Sequence, residues 1–204
     1  MLAADPGYRP DPSPADTDAA IIERSLAEPE RFAGVFDRHY RRIHAFAARR
    51  LGAGLADDVA SETFLIAFDR RGRYDAAHRD AGPWLYGIAS NLISRHRRAE
   101  LRRLRALARA GAAELVDGHA DLVAGRVDAR ALRARLAAAL AGIQDRDREV
   151  LLLVAWAGLS VEEAARALEV PAGTARSRLH RARRRTRAAL AGAGLSTNDQ
   201  EETP

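Results

Sequence analysis

Apolar residues recur every three or four positions along most of the chain, and nowhere do they alternate convincingly at period two. The first pattern belongs to helices buried on one side, the second to strands. The chain therefore reads as all-α. Thr17 or Asp18 caps a short helix over 17–27. Pro29 opens a longer one with Phe32, Val35, Phe36, Tyr40, Ile43, Phe46 and Leu51 on one face, ended by Gly52-Ala53-Gly54. A third helix covers about 55–70. Residues 71–82, with Gly72, Tyr74, His78 and Gly82, form a polar loop, and Pro83 begins a fourth helix that runs on through arginines to about Arg109. The periodicity fades where Gly111, Gly118 and Gly125 stand among Glu114, Asp117 and Asp121. It resumes near Asp128 with Leu132, Leu136 and Leu140. The implied architecture is two small helical domains, 17–109 and 128–191, joined by a flexible acidic linker over 110–127. The Pro- and Asp-rich 1–16 and the polar 192–204 read as disordered ends.

The second domain ends in a helix-turn-helix. Ser160 is an N-cap and Glu163 completes a capping box, with Ala164, Ala165 and Leu168 as the apolar stripe. Glu169-Val170-Pro171 interrupts the helix, since proline lacks an amide donor and restricts the residue before it. The next helix carries a stripe at Ala175, Leu179, Ala182, Thr186 and Ala189. At about 100° per residue, Ser177, His180, Arg181 and Arg184 fall opposite that stripe, with Arg176 on the flank and Thr174 off the stripe near the start. Arg178 lies nearer the buried edge and reads as an ion-pair or phosphate residue. Between Thr174 and Leu190 there are seven arginines and no acidic residue. Such a helix needs an anionic partner, and a helix-turn-helix fits it to DNA.

Composition narrows the class. The 204 residues are 47% hydrophobic, enough for real cores, and the alanine content favours helices. The formal charge is only +5, so the basic character is concentrated locally. All 33 Lys+Arg residues are arginine, which the codon usage of a GC-rich genome explains better than function does. With no cysteine, disulfides and thiolate metal sites are excluded. The N-terminus has no basic or apolar signal region, and the longest apolar run, Val150 to Leu159, is about half a membrane span. A soluble, cytoplasmic protein is expected. The histidines at 39, 44, 78, 96, 119 and 180 lack metal-ligand spacing, no nucleophile has an evident base, and no glycine loop cradles phosphate. The expectation is no catalysis, no cofactor, no metal and no small-molecule substrate.

Three further stretches carry information together. Ala56-Asp57-Asp58-Val59-Ala60-Ser61-Glu62-Thr63-Phe64 puts Asp58 and Glu62 on one helical face. Trp84-Leu85-Tyr86-Gly87-Ile88-Ala89-Ser90-Asn91 leads into Ser94-Arg95-His96-Arg97-Arg98, with Leu85, Ile88 and Leu92 inward and Tyr86, Ser90, Ser94 and Arg97 outward. Arg148-Glu149-Val150 precedes the helix-turn-helix, and Gly173-Thr174 precedes Arg176-Ser177-Arg178-Leu179-His180-Arg181-Ala182-Arg183. In this order and spacing the chain resembles a bacterial sigma factor of the extracytoplasmic-function type over roughly 32–105 and 131–190. Ser61 departs from the usual glutamine, and Ser90 and Ser94 from the usual arginine and aspartate.

The resemblance implies a first domain that binds core RNA polymerase through Asp57, Asp58, Ser61 and Glu62. Its 71–82 loop and following helix would read and open the promoter −10 element, with Tyr86, Ser90, Asn91, Ser94, Arg95, Arg97 and Arg98 as the DNA-binding set. The second domain would read the −35 element through Thr174, Arg176, Ser177, Arg178, His180, Arg181 and Arg184. The implied partners are core RNA polymerase and promoter DNA, with an anti-sigma factor as the partner that often restrains such proteins. The alternative is a stand-alone helix-turn-helix transcriptional regulator. That class needs a sensory or receiver domain with strands, and none is legible in the N-terminal half.

Overall fold

The computed structural model describes residues 17–116 and 124–191, with side chains over 17–110 and 131–191. The disorder expected for 1–16 and 192–204 lies outside the described residues. All regular structure among the described residues is helical. The order is α1 (Asp18–Ser25), α2 (Ala33–Leu51), α3 (Ala53–Arg70), α4 (Gly82–Arg95), α5 (Arg97–Val116), α6 (Ala124–Gly142), α7 (Asp145–Ala155), α8 (Val161–Ala167) and α9 (Ala172–Ala191), with single 3₁₀ turns at Pro29–Phe32 and Arg71–Arg73. Helix persists to Val116 and restarts at Ala124, so of the segment read as linker only 117–123 is left between helices, and it lies outside the described residues.

Local chemistry explains most boundaries. The Thr17 hydroxyl accepts from the Ala20 amide at 3.3 Å, so Thr17 is the N-cap of α1. Pro29 opens the 3₁₀ turn that feeds α2. Gly52 separates α2 from α3 at φ +93°, a backbone conformation that a side chain would strain. One continuous helix from Pro83 to Arg109 is not formed. His96 takes φ −94°, ψ 16°, which ends α4 and starts α5.

Val35, Ile43, Phe46, Val59, Phe64, Leu85 and Ile93 fill the first core, each 5% exposed or less. Burying each such side chain contributes about 1.5–3 kcal/mol. Helix α4 is the central element, packed on α2 and α3 on one side and on α8 on the other. In the second domain Leu140, Ile143, Val150, Leu153, Leu159 and Leu179 are buried among α6, α7, α8 and α9. Arg148 is buried there and donates to the Leu140 and Ile143 carbonyls at 3.3 and 3.1 Å, satisfying the C-terminus of α6. The capping box expected at Ser160 and Glu163 is present in both directions, at 3.1 and 2.8 Å. α8 stops earlier than Pro171 alone requires. Glu169 turns left-handed at φ 52°, and the Val170 amide donates back to the Ala165 carbonyl at 3.0 Å.

Candidate nucleic-acid interface

On α9 the buried stripe is Ala175, Leu179 and Ala182, which turns the basic side outward as the helical wheel predicts. Arg176, Ser177, His180, Arg181 and Arg184 are exposed, while Thr174 and Arg178 are half-buried. Arg176, His180, Arg183 and Arg184 line a shallow groove of about 420 Å³ closed by Glu162 of α8. Glu162 holds the Arg176 head at 2.5 Å, so the arginine is oriented before any DNA arrives. The Ser177 hydroxyl is spent on the Thr174 carbonyl at 2.9 Å. Arg181 is engaged too. Its Nε and Nη2 donate to both oxygens of buried Asp147, at 3.0 and 2.8 Å, tying α9 to α7. Its side chain remains 46% exposed, so the pair orients Arg181 and leaves it in the DNA-facing set expected from the sequence.

Asp57, Asp58, Ser61 and Glu62 all lie exposed on α3. The His44 ring meets Asp57 at 3.1 Å, and Arg95 reaches Glu62 at 3.2 Å. Sequence reasoning missed Leu65 on the same side. It is 65% exposed, four residues after Ser61, and an apolar residue on an otherwise polar stripe was the available signal. Phe36 of α2 is also exposed, stacking on Tyr40 and meeting Phe64 of α3 edge-on.

The expectation for α4 is met only in part. Leu85, Ile88 and Leu92 are buried as expected, and Asn91, Ser94, Arg95, Arg97 and Arg98 are exposed. Tyr86 and Ser90 are not outward; they are 2% and 3% exposed. The physical reason is that α4 is covered on two sides, whereas the wheel assumed one. Tyr86 packs edge-on against Phe46 at 5.2 Å, and burial raises its phenol pKa above the ordinary value. Arg97 is paired with Asp145 of α7 at 2.8 Å.

Ahead of α4, Arg70, Arg73, Tyr74, His78 and Trp84 line a cleft of about 450 Å³ shared with Arg166, Ala167 and Glu169 at the end of α8, with the Tyr74 and Trp84 rings 5.0 Å apart. The loop that shapes it is anchored by a residue expected only at a helix cap. Asp18 is buried and accepts from the His39 ring at 2.6 Å, the Ala81 amide at 2.9 Å and Arg38 at 3.0 Å. Burial alone would raise its pKa, but these hydrogen bonds and the His39 charge hold it at about 2. Asp18, His39 and Asp80 bring three potential metal-ligand atoms within 4.8 Å of one another. The Asp18 oxygens are already taken by donors, one of them a guanidinium, so the cluster fits a loop anchor better than a cation site.

Comparisons with known proteins give the family. Residues 35–103 match Sigma-70 region 2, and residues 133–186 match Sigma-70, region 4. The ECF RNA polymerase sigma factor SigC of Mycobacterium tuberculosis is 35% identical over 143 residues, 69% of this chain and 73% of SigC. The chain belongs to the extracytoplasmic-function sigma factors. A sigma factor directs transcription initiation, and its family works as a regulatory initiation factor. Two solved structures share the fold. One is CnrH in complex with the cytosolic domain of CnrY, with a TM-score of 0.60 at 24% identity over 86% of this chain and 98% of that one. The other is the sigma factor RpoE of Bartonella quintana in complex with the anti-sigma factor NepR, with a TM-score of 0.54 at 22% identity over 79% and 98%. Among the described residues of this sigma factor, no helix is long and apolar enough to cross a membrane.

Proposed function

We propose that this sigma factor docks core RNA polymerase on the α3 face of Asp57, Asp58, Ser61, Glu62 and Leu65. It reads and opens the −10 element with the cleft before α4 and the exposed end of that helix, and it lays α9 in the major groove of the −35 element. Residues 17–109 and 128–191 are the two working domains. The observation that carries the reading is the basic outer face of α9, where Arg176, His180 and Arg184 stand exposed without an acidic neighbour on the same helix. For melting, the cleft offers aromatic rings and arginines, the groups that receive an unstacked base and its phosphate. Asn91, Ser94, Arg95 and Arg98, all exposed, follow the strand in this reading. The protein is a specificity subunit without catalysis or cofactor, acts in the cytoplasm, and has an anti-sigma protein as a further partner.

Core docking is the step a stand-alone regulator would not share. The double variant Asp58→Arg with Glu62→Arg should lose co-purification with core polymerase while keeping helicity, a cost of about 2–5 kcal/mol at a desolvated interface. Undiminished co-purification removes the α3 assignment.

A further inference from the structure

Helix α5 begins one residue after α4 and carries a second basic surface. Arg97, Arg98, Arg102, Arg103, Arg105 and Arg109 are all exposed on it. The acidic residue among them, Glu100, is buried and accepts from Arg50 at 2.6 Å and Arg148 at 3.3 Å, so its charge is already spent. At about 100° per residue, Arg98, Arg102, Arg105 and Arg109 fall within about 60° of one another, in one line about 16 Å long. α5 packs on α6 and α2 through its other side, where Glu100 and Leu104 are buried. The two arginines off the line are otherwise occupied. Arg97 pairs with Asp145 at 2.8 Å, and the Arg103 guanidinium lies against Gly52.

A solvated helix gains from acids set four residues from its cations, and like charges at that spacing destabilise it. Here Arg98 stands four residues from Arg102, and Arg105 four from Arg109, and none of the four meets a carboxylate among the described residues. Codon usage explains arginine in place of lysine, but not four of them on one line. A polyanion lying along the helix relieves the repulsion. Each strand of duplex DNA presents a phosphate about every 3.4 Å of axis, so the line is as long as about five of them. Its near end is Arg98, beside the exposed Asn91, Ser94 and Arg95 of α4, and from its far end the chain leads to the second domain.

We propose that Arg102, Arg105 and Arg109 carry the promoter contact from α4 onto the duplex spacer upstream of the −10 element, where they bind the phosphates of one strand. The inference rests on reading α4 as the −10 helix. Upstream is the direction that fits, because α5 leads from the −10 set towards the domain given to the −35 element, and the DNA between those elements is paired. The contact reads no sequence. It adds affinity and fixes the path of the spacer past the protein, as phosphate contacts do.

The test uses the full chain with core polymerase, without nucleotides, on a cognate promoter duplex. In the triple variant Arg102→Gln, Arg105→Gln and Arg109→Gln, the dependence of log Kd on log salt should flatten by about three units, one per phosphate contact. The same three positions changed to lysine should keep the parent slope, since lysine still binds phosphate as a point charge. Uncharged methylphosphonates at about five spacer positions beside the −10 element should weaken binding of the parent and leave the glutamine variant unaffected. The same block within the −35 element should weaken both. Circular dichroism checks that the helices are intact. An unchanged slope, or a parent indifferent to the spacer block, overturns the proposal. A defect that appears only once transcripts form also overturns it, and gives the line to RNA. Asn91→Ala followed with permanganate separates this from the reading beneath it. Normal opening by that variant removes the −10 assignment of α4, while the spacer block alone decides the arginine line.

Discussion

Helices α4 and α9 are both given to DNA here, yet they are built in opposite ways. α9 buries only Ala175, Leu179 and Ala182 and turns its arginines to solvent. α4 buries ten of its fourteen residues, from Gly82 to Ile93, and keeps polar groups only towards its C-terminal end. A duplex presents groove edges and phosphates to a charged face, so α9 can read while remaining an ordinary amphipathic helix. An unstacked base needs a walled apolar and aromatic cleft, which only a buried helix and an anchored loop can provide. The cost is access: surfaces that make good base cavities also make good packing surfaces for a neighbouring domain.

The contrast can be broken first at the boundary it depends on. Arg148→Ala should be the most damaging change, because it uncaps α6 and takes one of two guanidinium partners from buried Glu100, which keeps only Arg50. Losses of about 3–5 kcal/mol are typical when one member of a buried pair is removed. Urea unfolding followed by circular dichroism measures it, and a loss below about 1 kcal/mol would show that Arg148 does not hold the end of α6.

On α9, Arg176→Ala should cost roughly 1–3 kcal/mol on the preferred −35 sequence and blur discrimination there. Arg184→Ala should weaken all sequences alike and shrink the salt slope by about one unit. Fluorescence anisotropy with matched and scrambled duplexes across salt concentrations separates them. Equal losses on both duplexes for both variants would mean that α9 binds charge without reading sequence.

The smaller effect concerns the loop anchor beside α4. Asp18 has a folded pKa of about 2 against an ordinary 3.8. A depressed carboxylate stabilises the fold fully above its unfolded pKa and loses that contribution as pH falls, here from about 4 towards 2. The shift corresponds to about 2 kcal/mol. Asp18→Asn should lower stability at neutral pH and flatten the decline between about pH 4 and pH 2, read from thermal melts across that range. An unchanged acid limb would remove Asp18 as the anchor.

The same contrast decides what was legible in the sequence. α9 was readable because a single-sided helix obeys the wheel: every residue placed opposite Ala175 and Leu179 is exposed, Arg181 included, although it pairs with Asp147, 34 residues away. The α3 carboxylates were readable for the same reason. Tyr86 and Ser90 were misplaced because a helix covered on two sides has no outward stripe for periodicity to find. Nothing local marks Arg50 or Glu100 as buried either, since each is polar in a polar stretch and its partner comes from far along the chain. Asp18 looked like a cap because it sits beside one, and its partners at 39 and 81 are supplied by the tertiary fold. The glycine at 87 showed only as a break in an apolar run, and its meaning needed the α8 backbone, whose Ala167 carbonyl a Cβ there would overlap.

The central claim is that α4 and its cleft serve strand opening while α9 serves duplex binding. Permanganate footprinting of complexes formed with core polymerase on a cognate promoter tests it most directly, using Asn91→Ala, an exposed position on α4. The account predicts that this variant still protects the −35 region but loses most thymine reactivity across the −10 element. Reactivity equal to the parent at equal promoter occupancy would contradict it.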